Sequence, residues 1–509
     1  MVERTPPSLM QQEDWLNTPY YKAYFKPSDD PQKSGWLPKE PYEVGMPRAR
    51  KVDVGDGHIL HAQEYGNPDG EPVIFLHGGP GGQCSAQDPA YFDPKRYRII
   101  LFDQRGCGRS TPNTKTDPKG ALIGNNTGTM VEDINKIRAA FNIKGKVHLE
   151  GGSWGSTLAL AYATRYPQNV KSLMLRGIFL GTEPGLRFMF QGNSEEYRDV
   201  PPNLNDADFL QTYYSQPMEK FEGAYRAYTP KQNDKDGRIP DELQKGGDHM
   251  KLAYARQWNR YVTLIPRGSN DTPGERSNMI KAYDDRLQAE QDPSIPYDPA
   301  HPEKSYDPKT NRIAPQYQLD LAMAFTGWEG LISQFSQKVG ADGKIDLGKF
   351  ADPAFAIDFA RLEARYTLDG FYMGKDGLQA PKGNENLILD HIDNIARYNI
   401  PIMIAHGEND QVCPVRDAYT LEERYKEAQN RLLGSAVEHA PVTMRITPRT
   451  GHTMGDKGNT LALIDMINNL APRMTPDEKE WVGGKGSQAQ RIFDQQAERD
   501  KIITGRLGK

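Results

Sequence analysis

Short apolar runs, each closed by a glycine-rich or polar turn, recur between about residues 70 and 180 and again after residue 400. They are Pro72–Leu76, Tyr97–Phe102, Val147–Leu149, Ser172–Leu175, Ile402–Ala405 and Thr443–Ile446. Runs this short without polar alternation are the pattern of strands buried on both faces, as in a parallel sheet. Helix-like stretches separate several of them, with Val131–Phe141 and Thr157–Arg165 the clearest. That alternation predicts an α/β fold with a mainly parallel central sheet and helices on both faces. Ahead of the first run, Lys51–Tyr65 alternates through Val52, Val54, Ile59 and His61 around Asp56-Gly57, which predicts a hairpin.

The alternation breaks between about Gly181 and Asp390. This segment is polar and rich in Pro and Tyr, with helix-like pieces at Lys251–Tyr261, Leu319–Ser336 and Ala354–Tyr366. Thr229–Asp248 and Asp292–Arg312 read as loops. The segment predicts a helical cap inserted over the C-terminal edge of the sheet. The expected organisation is an N-terminal extension (1–46), a first part of the core (47–182), the cap (183–390), a second part of the core (391–474) and a charged tail (475–509).

Composition narrows the function. Of 509 residues, 26% are charged and 37% hydrophobic, with a formal net charge of -5. There is no long Lys/Arg run, so neither nucleic acid nor an anionic membrane is an expected partner. No apolar stretch approaches the ~18 residues of a membrane span. Met1–Trp15 carries Glu3, Arg4, Glu13 and Asp14 and no apolar h-region, so no secretory leader is read there. Three cysteines, Cys84, Cys107 and Cys413, fit a reducing, cytoplasmic setting. No CxxC pair and no HExxH occurs, and no cofactor or metal is expected.

The strongest chemical signal is Val147-His148-Leu149-Glu150-Gly151-Gly152-Ser153-Trp154-Gly155. An apolar run enters G-x-S-x-G and a helical pattern leaves it, the context of a nucleophile elbow. Ser153 is the candidate nucleophile. Upstream, Val73–Leu76 ends in His77-Gly78-Gly79-Pro80-Gly81-Gly82, a candidate oxyanion loop. The N–H of Gly79 (or Gly78) would join that of Trp154 there. After the cap, Ile402–Ala405 runs into Glu408-Asn409-Asp410. Asp410 is the favoured triad acid, with Glu408 as competitor. Finally, Met444–Ile446 leads to Gly451-His452, the place for the base. The order Ser, Asp, His is that of α/β-hydrolases and not of chymotrypsin-like or subtilisin-like enzymes. His77 reads as a structural residue.

These strings resemble the proline iminopeptidases, or prolyl aminopeptidases. The resemblance is carried by His77–Gly82, by Asp103-Gln104-Arg105-Gly106-Cys107-Gly108-Arg109-Ser110, by Gly151–Leu160 and by Leu175-Arg176-Gly177-Ile178-Phe179, and it covers roughly residues 50–190 and 320–470. It implies a serine aminopeptidase whose substrate is a peptide with a free N-terminus, typically proline. It further implies that Glu329, in Gly327-Trp328-Glu329-Gly330, and Glu363 hold the α-ammonium. Arg176 would position those carboxylates, and Phe179 and Cys413 would line the proline pocket. The chain departs from the family where Glu363-Ala364-Arg365-Tyr366-Thr367 stands for Glu-Asn-His-Tyr-Phe, and in its longer cap. An esterase, lactonase or amidase could use the same triad without needing the two glutamates.

Overall fold

The computed structural model describes residues 47–191, 276–299, 301–334, 347–435, 437–447 and 450–480. It also describes the backbone of a two-residue strand pair, Phe25–Lys26 with Leu37–Pro38. The expected helix at Lys251–Tyr261, the loop at Thr229–Asp248, and most of the extension and tail lie outside the described residues.

Each of the six apolar runs is a strand. After the hairpin of β1 (Arg48–Gly55) and β2 (His58–Gly66) come β3 (Glu71–Leu76), β4 (Tyr97–Phe102), β5 (Val147–Ser153), β6 (Val170–Ile178), β7 (Ile402–Gly407) and β8 (Val442–Thr447). They form one sheet in the order β8-β7-β6-β5-β3-β4-β2-β1. The β1/β2 and β2/β4 pairs are antiparallel and the rest parallel. Side chains alternate between two cores. Ile74, Leu76, Ile100, Leu149, Leu175 and Ile404 point to one face, under α1 (Thr127–Ala140) and α2 (Trp154–Arg165). Val73, Phe75, Ile99, Leu101, Met174 and Met403 point to the other, with Leu463 and Ile467 from the segment after β8. Burial on both sides explains why these strands read as unbroken apolar runs.

The described part of the cap opens with the helix Glu183–Gln191 and is built around α3 (Arg276–Leu287), α4 (Pro315–Ile332) and α5 (Pro353–Leu368). Asp352 caps α5 by accepting the Ala354 N–H at 2.8 Å, with Pro353 in the first turn. The stretch expected to be a loop, Asp292–Arg312, carries part of a small ladder. Tyr306–Asp307 pairs with Arg312–Ile313, which pairs with Glu290–Gln291. Two-residue strands are too short to leave a period in the sequence.

Asp358 of α5 fastens the cap to the core. Its carboxylate accepts from Thr114 Oγ1 at 2.8 Å and from the Lys115 N–H at 3.2 Å, and it pairs with the Lys115 ammonium. Among the described residues, no helix is long and apolar enough to cross a membrane.

Candidate active site

Ser153 ends β5 and its backbone takes φ 58° and ψ -129°. Positive φ is costly for a serine, and such outliers gather at functional sites. The turn closes only because its flanks are bare. A Cβ on Gly151 would come within 2.2 Å of the Gly155 carbonyl oxygen, and one on Gly155 within 2.0 Å of the Leu76 carbonyl oxygen. The glycines of G-x-S-x-G are therefore a packing requirement. Immediately after Ser153 the chain enters α2, whose first-turn N–H groups have no partner within the helix.

Asp410 follows β7 and is fully buried. Its Oδ1 accepts the N–H groups of Val412 at 2.9 Å and Cys413 at 2.8 Å. Its Oδ2 lies 2.7 Å from His452 Nδ1. Burial pushes its pKa up, but the imidazole and these hydrogen bonds outweigh that and hold the carboxyl below the usual range. The competitor Glu408 is only half-buried, with its N–H bonded to the Thr447 carbonyl at 3.0 Å. It is Asp410 that meets the imidazole. His452 is set from two further sides. The Ser333 carbonyl, at the end of α4, accepts the N–H groups of His452 at 2.9 Å and Thr453 at 3.0 Å. Arg176 Nη1 donates to the His452 carbonyl.

The His77–Gly82 loop lies against the elbow. A Cβ on Gly78 would sit 3.2 Å from Ser153 Cβ. The Asp103–Ser110 string braces this arrangement. Gln104 donates its N–H to His77 Nε2 at 3.0 Å and its amide to the His77 carbonyl at 2.9 Å, and accepts from Trp154 Nε1 at 2.9 Å. Asp103 accepts the Cys84 N–H at 2.9 Å and Arg109 Nε at 2.7 Å. With both ring nitrogens bonded to backbone, His77 is structural.

A pocket of about 140 Å³ opens here, bordered by Gly79, Ser153, Arg176, Glu329 and His452. Glu363 lies behind Glu329, and the two buried carboxyls share a hydrogen bond. Burial, then the neighbouring Glu329 charge, pushes Glu363 well above the usual carboxyl range, so it keeps its proton and donates to Glu329. One oxygen of each has no partner.

Other expectations shift. Among the described residues Arg176 makes no ion pair with either glutamate; it grips the His452 loop, and its Nε is unpartnered. Phe179 and Cys413 do not border this pocket. Phe179 packs edge-on to Phe371 at 4.7 Å, and Cys413 is locked into the core beside Asp410. The apolar wall is instead Phe350, Phe359 and Met454. Glu150, Ser333 and Lys349 also border the pocket, and no sequence motif singles them out.

Residues 71–440 match the family model of the alpha/beta hydrolase fold. A proline iminopeptidase of Xylella fastidiosa (strain 9a5c) is 30% identical over 424 residues, covering 83% of this chain and 95% of that one. The chain belongs to the proline iminopeptidase family of α/β-hydrolases. A probable proline iminopeptidase of Leptolyngbya boryana is likewise 30% identical, over 436 residues, covering 86% of this chain and 96% of that one. The crystal structure of a proline iminopeptidase from Mycobacterium smegmatis covers 80% of this chain and 92% of its own, at 18% identity and a TM-score of 0.36. Membership in the proline iminopeptidase family makes the protein a hydrolase, and its similarity to these relatives is to peptidases.

Proposed function

We propose that this protein is a serine aminopeptidase that releases an N-terminal residue, proline above others, through an acyl-enzyme on Ser153. The observation that carries the reading is one pocket holding two devices. Ser153 and His452, the latter paired with Asp410, border it together with Glu329, which is backed by Glu363.

The chemistry follows from those positions. An incoming α-ammonium faces a carboxyl pair that holds one proton and so carries one negative charge. Burial without such a partner would be costly for either charge. Ser153 Oγ attacks the carbonyl carbon as His452 Nε2 accepts its proton. Asp410 keeps the proton on Nδ1 and stabilises the imidazolium. The N–H groups of Gly79 and Trp154 receive the oxyanion, each worth about 3 kcal/mol. Collapse breaks the peptide bond, and His452 returns the proton to the leaving amine. Water, deprotonated by His452, then attacks the acyl ester, and the proton goes back to Ser153 Oγ. Phe350, Phe359 and Met454 offer the proline ring an apolar surface.

A panel of aminoacyl arylamides, free and N-blocked, tests the reading. The expected outcome is turnover of free prolyl arylamide, loss of turnover on N-blocking, and a fall of at least about 10⁴-fold in Ser153→Ala. Glu329→Gln should depress the arylamide reaction and leave hydrolysis of a short acyl ester largely intact. Equal turnover of blocked and free substrates would remove the aminopeptidase assignment in favour of an esterase or amidase.

A further inference from the structure

The pocket holds more charge than peptide-bond hydrolysis at a free N-terminus requires. Lys349 lies in the short turn Gly348–Ala351 that leads into α5. Lys349 borders the same pocket as Ser153, His452 and Glu329; the residue is exposed to solvent overall, while burial of its ammonium pulls its pKa down. The ammonium rests on an aromatic ledge, 5.5 Å from the Phe350 ring centre and 5.1 Å from that of Phe355. The ledge is rigid in its own right, because Phe350, Phe355 and Phe359 pack on one another at 5.2 to 5.7 Å. Among the described residues Lys349 makes no ion pair.

The acids near Lys349 are already engaged. Asp88 accepts from the Ser85 N–H at 2.7 Å and from its hydroxyl at 2.9 Å. Glu329 is bonded to Glu363. Glu150, pushed up to about 8 by burial, is mostly protonated at neutral pH. Arg176, itself 8% exposed and without an ion pair among the described residues, adds a second cation to the wall. Once an α-ammonium has neutralised the Glu329–Glu363 pair, Lys349 is left with no acid of its own among the described residues, because Asp88 is held by Ser85 and the Asp410 charge by His452.

We propose that Lys349 receives the free carboxylate of the residue that follows the scissile bond, so that the protein favours dipeptides as substrates. This rests on the aminopeptidase reading above. A dipeptide carries its carboxylate within roughly 7 Å of its ammonium, two residue lengths. It therefore matches a small pocket with an anion on one wall and a cation on another. A longer peptide or a C-terminal amide places no charge there.

The test is proline release from prolyl-glycine and prolyl-glycinamide by wild type, Lys349→Met and Lys349→Arg. The readout is the ratio of kcat/KM for the acid to that for the amide. Comparing variants cancels the intrinsic difference between the two leaving groups. Lys349→Met should lower the ratio about fivefold, mainly through KM, as suits a solvent-facing ion pair. Lys349→Arg should keep most of the ratio, and raising the salt concentration should shrink it in wild type but not in Lys349→Met. A ratio that moves less than twofold in Lys349→Met, while both substrates are cleaved, overturns the role of Lys349 and leaves the aminopeptidase standing. Failure of wild type to release proline from either compound or from prolyl arylamide overturns both. Lys349 is exposed, so the methionine variant is expected to fold, and its melting curve checks this.

Discussion

Glu150 stands three residues before Ser153 on β5, with a buried carboxyl oxygen that has no partner. Burial pushes its pKa up to about 8, against the opposing pull of Arg176. It is therefore neutral below about pH 8 and anionic above. On the proposed mechanism, a new negative charge on the wall that Ser153 shares would oppose the oxyanion of the transition state. Turnover should accordingly fall as pH rises through about 8, and Glu150→Gln should flatten that alkaline limb without moving the acid limb. A pH–rate profile of kcat/KM in which the limb survives the substitution would assign it to another group. Ser153, His452 and Asp410 could be picked out along the chain because each closes an apolar run with a turn. Glu150 and Lys349 could not. One sits inside a strand and the other in a polar turn, and only the folded arrangement turns either toward the pocket. Phe179 and Cys413 show the reverse, since a matching string does not say which layer a side chain occupies.

At the scale of elements, the seat of the cap on the core is polar. Asp358 on α5 binds Thr114 and Lys115, and Arg361 on the next turn donates to the Thr114 carbonyl and, at 2.7 Å, to Gln318 of α4. Asp358→Asn keeps the shape and removes the charge. It should lower stability by about 1–3 kcal/mol and raise KM more than it lowers kcat. Thermal melting and steady-state kinetics on one preparation check both. The elements of the core were legible because its strands are buried on both faces. Val147–Leu149 continues to Ser153 in the fold, since Gly-Gly-Ser adds no apolar signal to a strand that nevertheless goes on. The helix Val415–Leu433 is hard to read along the chain, although Val415, Ala418, Leu421, Tyr425 and Ala428 form a buried stripe at helical spacing. Its many charges mask that stripe when residues are read in sequence order. The cap is harder still, because contacts among α3, α4 and α5 join residues far apart in the chain.

Across the whole molecule, the two parts of the core are knitted by a buried ion network. Glu71 on β3 accepts from Arg96 at 3.0 Å and lies 3.2 Å from His148 Nε2. Arg96 also donates to the carbonyls of Asn468 at 3.1 Å and Ala471 at 2.9 Å, beyond the cap insertion. Burial raises the pKa of Glu71, but His148 and Arg96 outweigh it and hold it at about 2, below its ordinary 4.5. A depressed carboxyl stabilises the fold above its unfolded value, and the effect is lost as pH falls from about 4.5 toward 2. Glu71→Gln should cost about 3 kcal/mol at pH 7 by urea denaturation, and the gap from wild type should narrow at pH 3. The hold of the Ser333 carbonyl on His452 and Thr453 has a consequence at this scale too. On the proposed mechanism, any displacement of the C-terminal end of α4 would carry the imidazole with it, because the backbone that bears the ring hangs from that helix end.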